Sequence, residues 1–329
     1  MAQQVIVSPS PHIHSGDTIS KNMYGVLIAL IPAFLVMLYQ FRTDALLITA
    51  ISVASCMLTE WVITRFFLHR PCRLLDGSAL LTGVILAFNL PASLPWWLVL
   101  MGGVVAIGIG KMAFGGLGNN IFNPALVGRV FLLISYPAQM TTWKLPARLA
   151  EQAPDAVSAA TPLGILKSGA INELPDSLQL LAGFNYSSMG EVSAIAILIG
   201  LAYLLIRRII TWHTPVAIIV SAFVLSGIMH LYDPAMYASP FFHLLTGGLL
   251  FGAVFMATDY VTSPISHRAQ LIYGCMIGLL TVIIRLWGSY PEGMSFAILI
   301  MNAFTPLLNN YIKPRHFGHV VKSRKEAKR

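Results

Sequence analysis

Apolar runs of roughly 17–25 residues, the length a helix needs to cross about 30 Å of hydrocarbon, recur along almost all of this 329-residue chain. Charged residues make up only 10% of the sequence, against about 25% in a soluble domain. They cannot cover a water-soluble globule of this size. The chain reads as an all-α integral membrane protein with about ten transmembrane helices. These are expected near residues 24–41, 45–64, 75–91, 95–113, 121–137, 192–211, 215–231, 241–259, 270–287 and 294–312. The fifth contains "FNPALVG" and is expected to be broken, because proline removes a helical hydrogen bond.

The placement of Lys and Arg sets the orientation. With the N-terminus inside, the inner segments carry Lys21, Arg65, Arg70, Arg73, Lys111, Arg207, Arg208, Arg268 and the seven basic residues of the tail. The outer segments carry only Arg42, Lys144, Arg148, Lys167 and Arg285, and Arg129 falls within a span. Both termini are therefore expected in the cytoplasm. The organisation is a cytoplasmic segment at 1–23, a first five-helix unit at 24–137, an outer loop at 138–191, a second unit at 192–312 and a basic cytoplasmic tail at 313–329. The tail holds Lys313, Arg315, Lys322, Arg324, Lys325, Lys328 and Arg329 against Glu326, which is +6 of the net +8. The charge thus reports topology, and no nucleic-acid partner is expected. The first 20 residues lack the apolar stretch of a cleavable signal peptide.

The two halves echo each other. "LLTGVILAFNLPAS" from Leu80 resembles "LLTGGLLFGAVFMATDYVTSP" from Leu244, and "IFNPALVGR" resembles "MNAFTPLLN". An odd number of helices per unit would turn the second unit upside down. That is the inverted repeat of many transport proteins, with the functional site between the repeats.

Four ionisable residues at membrane depth stand out: Glu60, Asp76, Asp259 and Arg129. Such groups are costly in hydrocarbon and face a protein interior or a polar cavity. Asp76 and Asp259 lie at expected helix ends, where they read as caps or interface residues. Arg129 lies deeper, as a candidate for an anionic or polar partner. The stretch "FGGLGNNIFNPALVGR", residues 114–129, reads either as a structural re-entrant turn or as a site where Asn120 and Asn123 hydrogen-bond a planar heterocycle. It lacks the GK[ST] ending of a phosphate loop. The histidines and the three cysteines are scattered, with no metal-ligand spacing and no CxxC, so neither a metal site nor a cluster is expected. Cys56 and Cys275 read as small apolar filler. Thr161-Pro162 in the outer loop is by itself a good helix start.

Taken together, "SPSPHIHSGDTISKNMYGVLIALIPA", "LLDGSALLTGVILAFNLP", "FGGLGNNIFNPALVGRVFLLISYP", "DAVSAATPL" and "ATDYVTSP" resemble the D subunits of Rnf (Rsx) electron-transport complexes. The likeness covers essentially the whole chain. It extends more distantly to the B subunit of the sodium-translocating NADH:quinone oxidoreductase. "SAATPL" is similar to the S-[GA]-A-T segment in which that family carries FMN on the threonine hydroxyl. The resemblance therefore implies a covalent phosphoester at Thr161, with Ser158 in the attachment motif and Ala159 where glycine is common. It also implies a second, non-covalent flavin, riboflavin, for which Asn120 and Asn123 are the candidate contacts.

The function so implied is that of a membrane flavoprotein subunit, relaying electrons inside a ferredoxin- and NAD-linked ion translocase of the bacterial plasma membrane. No complete active site and no catalytic residue are expected on this chain. Iron–sulfur and flavin subunits, membrane-bound and peripheral, would supply the rest. The alternative is a stand-alone channel or carrier with a urea-transporter-like fold, which would have no use for a modified Thr161.

Overall fold

Thr18 accepts a hydrogen bond from the Lys21 N–H (3.2 Å) and so opens α1 (Ile19–Val62), which continues as one π-helical turn to Phe67. The computed structural model describes residues 17–69, 74–144, 158–159, 161–168, 180–181, 188–191, 193–234 and 236–313. A straight α1 would be roughly 66 Å long, about twice the hydrocarbon thickness. It breaks instead at Arg42, whose φ of 49° and ψ of −121° lie outside the helical region. The two limbs fold back on each other. Tyr24 donates to the Leu75 carbonyl (3.4 Å), and Met23 packs on Gly77. The next residue, Ser78, accepts from Lys111 (2.7 Å), which in turn pairs with Glu60. Residues 23 and 60 therefore lie at the same end of the molecule. The spans expected at 24–41 and 45–64 are limbs of one broken helix.

Asp76 then caps α2 (Ser78–Phe88), its Oδ1 accepting from the Ser78 N–H (2.8 Å) and hydroxyl (2.7 Å). At 11 residues α2 is shorter than the expected 75–91, and Asn89 to Leu94 follow without helix. α3 (Trp96–Gly108) comes next. α4 (Pro124–Ser135) begins at the proline expected to break the fifth span. Asn123 is its N-cap, accepting from the N–H groups of Ala125 (3.1 Å) and Leu126 (3.4 Å). The turn before it holds Gly115, Gly116 and Gly118, all with φ between 96° and 108°, a region that side chains disfavour.

After α5 (Pro137–Met140), two-residue strands β1 (Trp143–Lys144) and β2 (Ser158–Ala159) pair antiparallel, with Trp143 opposite Ala159. This pairing ties residues 158–159 to the end of the first half. α6 (Pro162–Lys167) follows at once. Otherwise the described secondary structure is helical: α7 (Ala194–Ile206), α8 (His213–Tyr232), α9 (Pro240–Leu245), α10 (Leu249–Phe251) with a π-turn (Gly252–Met256), α11 (His267–Trp287) and α12 (Met294–Tyr311).

The stretch expected as one span at 241–259 is interrupted. Thr246 is extended, and Gly247 and Gly248 have φ of 65° and 66°. A Cβ on Gly247 would stand 2.2 Å from Leu163 Cδ1, and one on Gly248 would stand 2.7 Å from Glu191 Oε1, and the positive φ at both disfavours any side chain there.

Four stretches, Ile19–Phe67, Trp96–Phe114, His213–Tyr232 and His267–Trp287, are long and apolar enough to cross a membrane. Large apolar side chains such as Leu35, Leu58, Ile199 and Val220 face outward, as lipid contact requires. The chain is a multi-pass membrane protein. Its core joins both halves through a line of rings: Phe34, Phe88, Phe251 and Phe255, with Phe88 and Phe251 stacked at 5.5 Å and 9°.

Cys56 is buried near the Gly103 carbonyl, while Cys275 is exposed on α11. Cys72, most of the outer loop, the first 16 residues and the basic tail beyond Lys313 lie outside the described residues.

Candidate functional site

Two cavities lie toward opposite ends of α4. The first, of about 70 Å³, is lined by Lys111, Asn120, Asn123 and Pro124 from the first half and by Val254, Phe255, Asp259 and Tyr260 from the second. Asn123 is fully engaged here. Its oxygen caps α4, and its Nδ2 donates to the Met256 carbonyl across the halves (3.1 Å). Asn120 is not. Its Nδ2 donates to the Phe122 carbonyl (3.2 Å), but its buried Oδ1 has no partner among the described residues. A buried acceptor left bare costs about 1–3 kcal/mol, which a ligand donor or a water would recover.

Lys111 is 1% exposed and bridges Glu60 (2.8 Å to both oxygens) and Ser78, so this basic residue, counted with the inner segments, is an interior ion-pair partner. Asp259 accepts from the Thr262 hydroxyl (3.1 Å) in a tight turn, consistent with a local capping role.

The second cavity, of about 190 Å³, is lined by Arg129, Leu133, Met140, Trp143, Thr161, Gly164, Tyr290 and Glu292. Thr161 has extended backbone (φ −64°, ψ 153°) and caps α6, its Oγ1 accepting from the Gly164 N–H (3.0 Å). The residue is buried, yet it borders open space on the cavity side. Ser158 is held in β2 three residues before it.

Beside this cavity, and sharing Arg129 and Glu292 with its lining, sits a group of four largely buried charges that sequence spacing does not reveal. Arg129 donates to Asn89 (2.9 Å) and Ser295 (2.7 Å) and pairs with Glu292. Arg285 donates to the carbonyls of His243 (2.5 Å), Thr246 (2.8 Å) and Gly247 (3.0 Å), clamping the interrupted helix. Arg285, counted with the outer segments, is 5% exposed. Glu191 lies in the turn before α7 and accepts from the Ser188 hydroxyl (2.5 Å). Burial first, then the nearby Glu292, push its carboxyl up to about 7, against the pull of Arg129, Ser188 and Arg285.

The available signal was the Gly-Gly inside an apolar span, which marks a broken helix, and the acidic residues Glu191 and Glu292 flanking later spans. The four charges come from residues 129, 191, 285 and 292, so local spacing could not unite them.

Comparison with known proteins agrees with the membrane architecture. Residues 6–318 match the model of the NQR2, RnfD, RnfE family. The D subunit of the Na⁺-translocating ferredoxin:NAD⁺ oxidoreductase complex of Acetobacterium woodii is 44% identical, over 98% of each chain. Its counterpart in the proton-translocating ferredoxin:NAD⁺ oxidoreductase complex of Clostridium ljungdahlii is 38% identical, over 95% of this chain and 96% of its own. The D subunit of the ion-translocating oxidoreductase complex of Stutzerimonas stutzeri is 40% identical, over 92% of this chain and 93% of its own. Matched over residues 6–318 and similar to these relatives over nearly its full length, this chain belongs to the NQR2, RnfD, RnfE family.

Proposed function

We propose that this chain is the D subunit of an ion-translocating ferredoxin:NAD⁺ oxidoreductase complex and that it carries FMN as a phosphoester on Thr161. Near full-length relatives of that description support the subunit assignment. The observation that carries the flavin reading is the cavity beside Thr161. Thr161 borders it, Trp143, Tyr290 and Leu133 line it, and Arg129 adds a positive charge to its wall. Esterification keeps Oγ1, so the Gly164 N–H retains an acceptor and α6 its cap. A bound flavin supplies one- and two-electron transfer; the chain's share is to hold it, orient it and keep water from it. Iron–sulfur and nicotinamide chemistry belongs to partner subunits.

A second flavin, riboflavin, is assigned to the cavity that holds the free Asn120 acceptor. The proposed topology has ten spans in two inverted five-helix repeats, termini in the cytoplasm and Thr161 outside. Its support is that the two echoing stretches pack against each other: Phe88 stacks on Phe251, and the Asn302 oxygen, in the orientation that satisfies its neighbours, accepts from the Asn123 N–H (3.1 Å). Reporter fusions at residue 150 and at the C-terminus test it; a cytoplasmic signal at 150 overturns it. One relative is described as moving Na⁺ and another protons, at 44% and 38% identity, so likeness alone does not assign the ion.

The flavin test uses protein made in a host that has the flavin transferase. Wild-type chain should stay fluorescent in a denaturing gel. Thr161→Ala should be dark yet folded, since losing a cap costs about 1 kcal/mol. Thr161→Ser should retain some signal, because the nucleophile survives. A fluorescent Thr161→Ala band, or an unmodified wild-type peptide, would return the carrier reading to first place.

A further inference from the structure

The buried charges behind Thr161 are unequally satisfied. The terminal nitrogens of Arg129 and Arg285 each make hydrogen bonds to side chains or carbonyls, while the Nε of each has no partner among the described residues. Glu191 is 7% exposed, and its Oε2 has no partner among the described residues. That oxygen belongs to a side chain lining a small hollow of about 10 Å³, shared with Thr161, Thr246, Gly247 and Glu292, which is about room for one water. A carboxylate oxygen buried in protein is costly when bare, and a proton removes the cost.

We propose that Glu191 is a reversible proton-binding site at the Thr161 end of the molecule, loaded through this hollow, that sets the charge beside the interrupted helix at Thr246–Gly248.

The groups that face Glu191 are Ser188 on its own turn, Arg129 on α4, Arg285 on α11 and Glu292 between α11 and α12. With Glu191 ionised the two arginines and two glutamates sum to zero; with Glu191 protonated they sum to +1. An O–H bond forms at the carboxyl, the proton comes from water in the hollow, and no electron is transferred. A metal cation is disfavoured there. The positive charges of Arg129 and Arg285, which act on the same carboxyl, repel one. The consequence reaches the backbone because Glu191 Oε1 lies 2.7 Å from where a Cβ on Gly248 would stand, while Arg285 holds the same break through its carbonyls. The site stands whether or not Thr161 carries a flavin.

The test is infrared difference spectroscopy of the full chain in detergent as pH is stepped across neutrality. Wild type should show a protonated-carboxyl band that grows as pH falls, with a midpoint near 7. The band should be lost in Glu191→Gln and kept in Thr161→Ala, which separates this claim from the flavin claim. In Glu292→Gln it should persist with a lower midpoint, because a neighbouring carboxylate has gone. Wild type without any such band overturns the proposal, even if Glu191→Gln fails to fold. So does a band that responds to exchange of sodium for choline at fixed pH and not to pH.

Discussion

Replacing Lys111 by Met should destabilise the protein far more than replacing Lys111 and Glu60 together. Lys111 is 1% exposed, with its Nζ 2.8 Å from both Glu60 oxygens and 2.7 Å from the Ser78 hydroxyl. Three segments meet there: the second limb of α1, the first residue of α2 and the turn after α3. Taking away one partner of a buried pair leaves an uncompensated charge, at a cost of about 3–5 kcal/mol. Lys111→Met and Glu60→Met should each lose about that much. The double variant replaces the pair by apolar groups of similar length and should fall within about 1–2 kcal/mol of wild type. The sum of the two single losses should therefore exceed the double loss by several kcal/mol. Unfolding equilibria of the four proteins in mixed micelles give the cycle. Additive single losses would refute the argument, because they would mean that neither charge depends on the other.

The two asparagines should separate: Asn120→Leu should lower non-covalent flavin content without altering the fold, while Asn123→Leu should cost stability through the lost α4 cap and the lost bond to Met256. Equal flavin loss without a stability difference would contradict this division. The pH dependence of stability should carry the mark of Glu191, whose folded-state pKa is raised from 4.5 to about 7. Between those values the unfolded chain ionises first, so stability should fall as pH rises, by at most about 1.4 kcal/mol per unit, and the slope should flatten in Glu191→Gln.

The membrane character, the approximate place of each helix and several helix starts were legible in the sequence because they depend on neighbours along the chain. An apolar run of sufficient length crosses hydrocarbon wherever it packs. Asp76 and Asn123 cap the helices that follow them, Pro124 opens one, and Thr161-Pro162 starts the short α6. Thr161 itself was visible as a motif.

The partners of the charges were not legible. Lys111 and Arg285 were counted only to the inner and outer sides, and each is buried and bonded, one to Glu60 and the other to the carbonyls of a broken helix. Arg129 was marked as needing a polar partner, but Glu292, Ser295 and Asn89 come from distant stretches. The chain reversal at Arg42 also looked from sequence like an ordinary loop between two helices. The reason is physical. Lipid is as apolar as leucine, so hydrophobic patterning does not say which helix face meets which. Ionised groups in hydrocarbon must still find one another, and the packing of the helices brings residues 89, 129, 191, 285 and 292 to one place.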